Sequence, residues 1–451
     1  MIAVLAAIPS IAWGLAGADY LSDDFWVAHE LVANGVLEGA MNLSFEAPAR
    51  PAVGPYYVLA YQVLGDRPVL HAVLMGSLNA LVALLVWRAL REVVTSRTAL
   101  LAALAFAVVP NRGATRLWFV LGPNLVSLAC LAGGAFLLLR RGRVGTAVAL
   151  FVVGILAHEG IAAVAALVIG WWWLQDRRAR LRPAAVALAP VAAITTVALL
   201  VSPKRGGSSP GPLANLDTLG AGQLGAGFWG SDLLGAIAMV VLVAAATWSI
   251  ATTVLPSFRG PSTVRREVLI GCALLAAGAA PFALGGAPFA VRGIFDRNNL
   301  VPDLGSCLVL AALLAATVRL SRPLGTVVAT LVIVVLAAGN VQDVRDYRDA
   351  AREGDALVEI VLADVDPSVG RIVVVPPLPG DTGVAQFILD SDLNAALQLR
   401  HGPEWASVRM PARTPRCADL VAASAGEPVF LYDRIDRTLI PLPDGEACPD
   451  G

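Results

Sequence analysis

"VGTAVALFVVGILAHEGIAAVAALVIGWWWLQ" (144–175) decides how this chain is threaded. Its single charged side chain is Glu159, beside His158. One bilayer crossing takes about 20 apolar residues. The stretch is therefore too short for two full spans and a loop. Yet Arg140, Arg141 and Arg143 precede it, and Arg177, Arg178, Arg180 and Arg182 follow it. Arg and Lys concentrate in short cytoplasmic loops, so both ends belong on one side. The stretch must enter and return. Two short helices meeting at His158-Glu159-Gly160 satisfy this, with the bend below the outer membrane surface. Irregular backbone at that depth is tolerated only where it lines a cavity or is buried in protein. The pattern thus predicts a cavity on the outer side.

The rest of the chain follows the same logic. Of its 451 residues, 57% are hydrophobic and 15% charged, against roughly 25% charged in soluble domains. Apolar runs cover about 1–18, 69–90, 98–110, 119–139, 144–157, 161–175, 183–201, 233–255, 267–289, 303–319 and 324–340. The Arg clusters fall after every second run, on one side. The expected fold is an all-α polytopic membrane protein of about eleven transmembrane helices, residues 1–340, with its N-terminus cytoplasmic. The first run ends Ala16-Gly17-Ala18, which a signal peptidase would accept, but no basic segment precedes it. A retained helix is the expectation, and either reading leaves Asp19 outside. Lys204 is the single Lys among many Arg. That bias, with abundant Ala, Gly and Val, suggests a GC-rich bacterial genome and a bacterial cytoplasmic membrane. No nucleic-acid partner is expected.

Residues 341–451 form a polar, acidic tail on the outer side. "VRDYRDAAREGDALVEIVLADV" reads as an amphipathic helix, and "RIVVVPPLP" and "EPVFLYDR" as short strands. A small extracytoplasmic α/β domain is expected there. Cys417 and Cys448 would pair in the oxidising outer compartment, or remain two thiols.

The candidate chemistry lies outside. The first outer loop, 19–68, is rich in acids and opens with adjacent Asp23 and Asp24. Solvation is the simplest reading of that pair. Its flanks Trp13, Tyr20, Phe25 and Trp26 would instead anchor it at the interface. Glu159 lies deep in an apolar stretch, where ionisable groups are functional candidates by default; the plain alternative is a capped turn. Arg50, Arg112, Arg116, Arg292 and Arg297 occupy short outer loops, against the positive-inside trend. Each suits a phosphate through its planar fork of donors, or snorkels to a headgroup.

In order along the chain, several stretches resemble the GT-C glycosyltransferases. The likeness is to their protein O-mannosyltransferase-like branch. An acidic pair opens the first outer loop. "ARPAVGPYYVLAYQVLGDRPVLHAVLMGSLNALVALLVWRAL" (49–90) is similar to their Arg-Pro segment, with Arg50-Pro51, His71 and Asn79 in place. "VPNRGATRLWFVLGPNLVSLACLAGGAFLLLRR" (109–141) resembles their next hairpin through Pro110, Trp118 and Asn124. "LAHEGIAAV" (156–164) looks like a Ser-Lys-Glu segment with His158 replacing Lys. "FDRNNLVPDLGSCLVLAALLA" (295–315) is similar to an Arg-Tyr-Leu-Tyr-Pro-Ser stretch, with Asn298-Asn299 where aromatics are usual. Tetratricopeptide repeats are lacking, and the tail is a smaller domain.

The resemblance implies a polyprenyl-phosphate sugar donor, mannose or another hexose. The acceptor hydroxyl would belong to a glycan, lipid or protein, and transfer would invert the anomeric carbon. Asp23 or Asp24 would act as base or orient the acceptor, with Asp24 preferred. Arg297, then Arg112 and Arg116, with Arg50 and Arg292, would meet the phosphate. His158 and Glu159 would line the cavity. Some relatives use a divalent metal, which one acidic pair does not require. The competing reading is a transporter or flippase of lipid-linked saccharide. It predicts matching broken helices in two halves, and no internal symmetry is evident.

Overall fold

The computed structural model describes residues 1–201 apart from Ala18, Ser22 and Asn111, then 263–284 and 298–365. In the tail it describes 372–375, 390–402, 408–409, 429–433 and 438–442. Arg292, Arg297, Cys417, Cys448, the run 233–255 and the side chain of Asp23 lie outside the described residues.

Every apolar run that falls among them is helical. In chain order the membrane-type helices are α1 (Ile2–Leu15), α5 (Pro68–Leu90), α6 (Ser96–Val108) and α8 (Gly122–Arg141), then α9 (Val144–Ala157), α10 (Ala162–Gln175), α11 (Arg177–Val201), α12 (Thr263–Leu284), α13 (Pro302–Leu320) and α14 (Arg322–Asp364). Among the described residues five segments are long and apolar enough to cross a membrane: Pro68–Leu90, Phe119–Arg141, Arg177–Ala198, Pro302–Leu320 and Arg322–Asp364. The acidic segment that follows α1 folds into α2 (Asp23–Ala33), α3 (Val36–Glu46) and α4 (Val53–Leu64), and α7 (Gly113–Leu117) precedes α8.

The opening stretch is two short helices, α9 and α10, joined by His158 and a 3-10 turn at Glu159–Ile161. His158 leaves the helix in an extended conformation, φ −161° and ψ 111°. Its Nδ1 accepts the Gly160 N–H at 3.1 Å, so the side chain caps the turn that its own backbone starts. At 1.5 Å per residue, α9 is about 21 Å long, short of a hydrocarbon core of about 30 Å.

Small residues let the helices approach closely, as expected where lipid and protein are equally apolar. Gly14 of α1 faces Ala72 of α5 so tightly that an added Cβ would lie 3.0 Å from the Ala72 methyl. Between α12 and α13 the contact is backbone to backbone. A Cβ on Gly305 would stand 2.1 Å from the Leu275 nitrogen and 2.5 Å from the Gly271 carbonyl oxygen.

The last membrane helix and the amphipathic helix of the tail are one element. α14 runs 43 residues without a break, about 64 Å, twice the hydrocarbon thickness. Pro323 near its start is its only proline, so nothing interrupts the ladder beyond that turn. After it come β1 (Ile372–Val375), α15 (Asp390–His401), β2 (Val408–Arg409), β3 (Val429–Asp433) and β4 (Thr438–Leu442). The strands form a sheet in the order β2-β1-β3-β4. β1 is parallel to β2 and β3, with Val374 opposite Phe430, and β3 and β4 pair antiparallel.

Candidate functional site

Asp24 lies in the first turn of α2 and is 2% exposed. Its carboxylate accepts three backbone N–H groups: Val120 at 2.6 Å, Leu21 at 3.2 Å and Phe119 at 3.4 Å. The Trp118 indole N–H donates to the Leu21 carbonyl at 2.6 Å. The acidic segment is thereby fastened to the 3-10 turn Phe119–Leu121 that leads into α8. Engaged in this way, the Asp24 carboxylate holds two pieces of backbone together. The backbone of Asp23 starts the same helix.

Aromatic rings wall the junction. Tyr20 meets Phe25 at 5.8 Å and Phe119 at 6.0 Å, both edge-on. His71 stacks on Phe119 at 5.7 Å and leans on Tyr61 at 4.6 Å. Its Nε2 contacts the Gly65 carbonyl at 3.0 Å. The Tyr20 hydroxyl donates to Asp66. Burial and then the neighbouring Asp24 charge push the Tyr56 and Tyr61 hydroxyls above the usual phenol range. Tyr56 reaches Gly122 at the start of α8, where a Cβ would lie 1.9 Å from its hydroxyl oxygen. Only glycine admits that contact.

The sunken bend belongs to the same neighbourhood. Arg50 grips Glu159 with both prongs of its guanidinium, Nε to Oε2 at 2.7 Å and Nη2 to Oε1 at 2.8 Å. The Ala52 N–H donates to the Leu156 carbonyl at 3.2 Å. Tyr57, one turn into α4, donates its hydroxyl to the Val120 carbonyl at 2.8 Å. The segment 50–57 is therefore bound both to the return bend and to the turn that holds Asp24. Asp24 and Glu159 are linked through Val120, Tyr57 and Arg50. His158 is 5% exposed and tilts against Phe282 at 6.0 Å.

Arg112 and Arg116 have a different setting. Each is 1% exposed. Arg112 donates to the Phe106 carbonyl, stacks 3.8 Å over the Phe106 ring and pairs with Asp303 at 3.4 Å. Arg116 donates to the Ala107 carbonyl at 3.1 Å and to Asn340. Asn340 in turn donates to the Val108 carbonyl at 2.6 Å. These carbonyls end α6, where the last backbone acceptors lack helical partners and the dipole favours cations. The two Arg side chains close that helix inside the protein. Asn298 and Asn299 are buried nearby in the chain, before α13.

Three partners were not singled out by the sequence reading. Asp303 and Asn340 sit at the edges of apolar runs, where a polar residue looks like ordinary interface; their depth is set by tertiary packing. Arg400 of α15 is the other case. It pairs with Asp355 at 2.8 Å and with Asp19, and lies 5.3 Å over the Phe25 ring. The tail thus contacts the start of the first outer loop.

Among the described residues no three His, Cys, Asp or Glu side chains gather as a metal site. The large cavity found among them, about 720 Å³, is not at this junction but at the opposite ends of α5, α8 and α10. Compared with known proteins, the chain matches no family model and no curated protein.

Proposed function

We propose that the chain is a GT-C-type membrane glycosyltransferase. It moves a hexose from a polyprenyl-phosphate donor to an acceptor hydroxyl on the outer face of a bacterial cytoplasmic membrane. The full fold in this reading has about eleven spans and an extracytoplasmic α/β tail. One observation carries it. The acidic start of the first outer loop and the Glu159 bend are tied to one set of helix ends, through Asp24–Val120, Tyr57–Val120 and Arg50–Glu159.

The acceptor oxygen attacks the anomeric carbon, and the bond from that carbon to the phosphate oxygen breaks. The lipid phosphate leaves with the bonding pair, and the hydroxyl proton passes to a carboxylate. Asp24 has its oxygens engaged by backbone donors and positions the segment. Asp23 is the base, since a base must reach the proton it removes. Arg292 and Arg297 meet the phosphate charge, which grows as the sugar departs. Arg50 is held by Glu159 and shapes the floor. Arg112 and Arg116 act at a distance, by holding α6 and α7.

Purified chain in detergent, given radiolabelled polyprenyl-phosphate hexoses and membrane-extract acceptors, tests this reading. Transfer in detergent supports it, because micelles have no second compartment. Movement of intact donor across vesicles, without transfer in detergent, would support the flippase instead.

A further inference from the structure

At the arginine-rich ends of α5, α8 and α10 the bundle forms an open-sided cavity of about 720 Å³. From Glu159 to Trp171 along α10 is about 18 Å, so this is a site apart from the Asp24–Glu159 junction. Its size lies within the roughly 300–1,000 Å³ of small-ligand sites. Leu90, Leu131, Ala135, Val168 and Leu274 give it apolar walls. Arg265 and Arg266, in the first turn of α12, form the rim, and both are exposed.

Two features show what this rim is built to meet. The Arg266 guanidinium lies 5.5 Å over the Trp171 ring, at the level where Trp and Arg mark membrane interfaces. Trp171 itself lines the cavity. The adjacent carboxylate, Glu267, is turned toward α6. Glu267 is buried and accepts from the Thr95 N–H at 2.8 Å and the Thr98 hydroxyl at 2.9 Å. It serves the start of α6, where a negative charge is favoured.

An apolar hollow with a cationic rim fits a lipid with an anionic head. We propose that the cavity holds an acyl chain of an anionic glycerophospholipid from the arginine-side leaflet. Its phosphate meets Arg265 and Arg266. Arg forks the phosphate oxygens, and the chain fills space that packing otherwise leaves empty. This site neither uses nor requires the sugar-transfer reading.

Native mass spectrometry of the full chain, with added dioleoyl-phosphatidylglycerol or dioleoyl-phosphatidylcholine, tests the proposal. Phosphatidylglycerol should bind at least about tenfold more tightly, the effect of one lost charged contact or more. Arg265→Gln/Arg266→Gln should reduce it to the phosphatidylcholine level. Ala135→Trp, which fills the hollow, should expel both lipids; Ala273→Phe is the second filling variant should the first not fold. Equal retention of the two lipids by the unaltered chain overturns the proposal, as does phosphatidylglycerol binding that survives the double Gln variant. A cavity filled by another part of the chain gives the first of those results.

Discussion

Arg112→Met separates a phosphate-binding arginine from a helix-closing one. The side chain is 1% exposed and faces Asp303, itself fully buried, at 3.4 Å. Removing one partner of such a pair leaves a buried charge and costs about 3–5 kcal/mol. The Phe106 carbonyl and ring lose their cation as well, and a desolvated cation–π contact is worth up to about 2 kcal/mol. These contributions share one side chain and do not add. The expected loss is therefore about 3–5 kcal/mol of unfolding free energy, read by denaturant titration in mixed micelles. Adding Asp303→Leu should recover most of it, because a well-packed apolar pair replaces a buried ion pair at little cost. Surviving Arg112→Met protein should bind donor with unchanged KM. Stability within about 0.5 kcal/mol of the parent, the usual range for a surface change, together with a raised donor KM, would refute this reasoning and return Arg112 to the phosphate.

Other consequences are as direct. Arg50→Met and Glu159→Gln should be strongly non-additive in the same unfolding assay. The bidentate 2.7 and 2.8 Å geometry with both groups mostly buried predicts a coupling of about 1.5–3 kcal/mol; simple additivity contradicts the contact. Gly305→Ala places a Cβ 2.1 Å from the Leu275 nitrogen. It should push α12 from α13, cost about 1–3 kcal/mol and loosen cross-links between cysteines placed on the two helices; an unchanged cross-linking rate counts against the close approach. Asp19 is held above the usual carboxylate range by burial, partly offset by Arg400. A raised folded-state pKa penalises the ionised form, so the penalty is present at neutral pH and fades as pH falls through that pKa toward the unfolded value. Asp19→Asn should thus raise the melting temperature at pH 7, with Asp355 retaining Arg400. The gain over the parent should shrink on acidification, and a gain that is absent at pH 7 or larger at pH 4 than at pH 7 contradicts the sign.

Much of the fold was legible because two strong signals agree along this chain. Apolar runs locate helices, and Arg clusters tell which ends share a side. The bend at His158–Gly160 followed from counting residues between Arg clusters, and the strands "IVVV" and "VFLYD" from their β-branched and aromatic content. The continuity of α14 was not legible, because hydropathy changes at the membrane surface whether or not the helix stops there. The site was legible in part. Arg50 and Glu159 meet, as an outer cation and a sunken acid should. Arg112 and Arg116 show the limit: an arginine in a short loop looks alike whether it meets a phosphate or the end of its neighbour's helix. Only the position of the α6 carbonyls tells them apart. The adjacent acids show it too. The resemblance favoured Asp24 as the working carboxylate, whereas three backbone donors engage that side chain, and the proposal therefore gives the base role to Asp23.

The central claim is that the acidic start of the first outer loop performs sugar transfer. Its most direct measurement is single-turnover transfer from a polyprenyl-phosphate hexose by purified chain, comparing the parent, Asp23→Asn and Asp24→Asn. Asp23→Asn should keep the parent's melting temperature and lose about 10²–10⁴-fold in rate, the range of a lost general base. Asp24→Asn should lower the melting temperature first, because the anchoring carboxylate is gone. Full-rate transfer by Asp23→Asn, or no transfer by the parent with any such donor, would contradict the account.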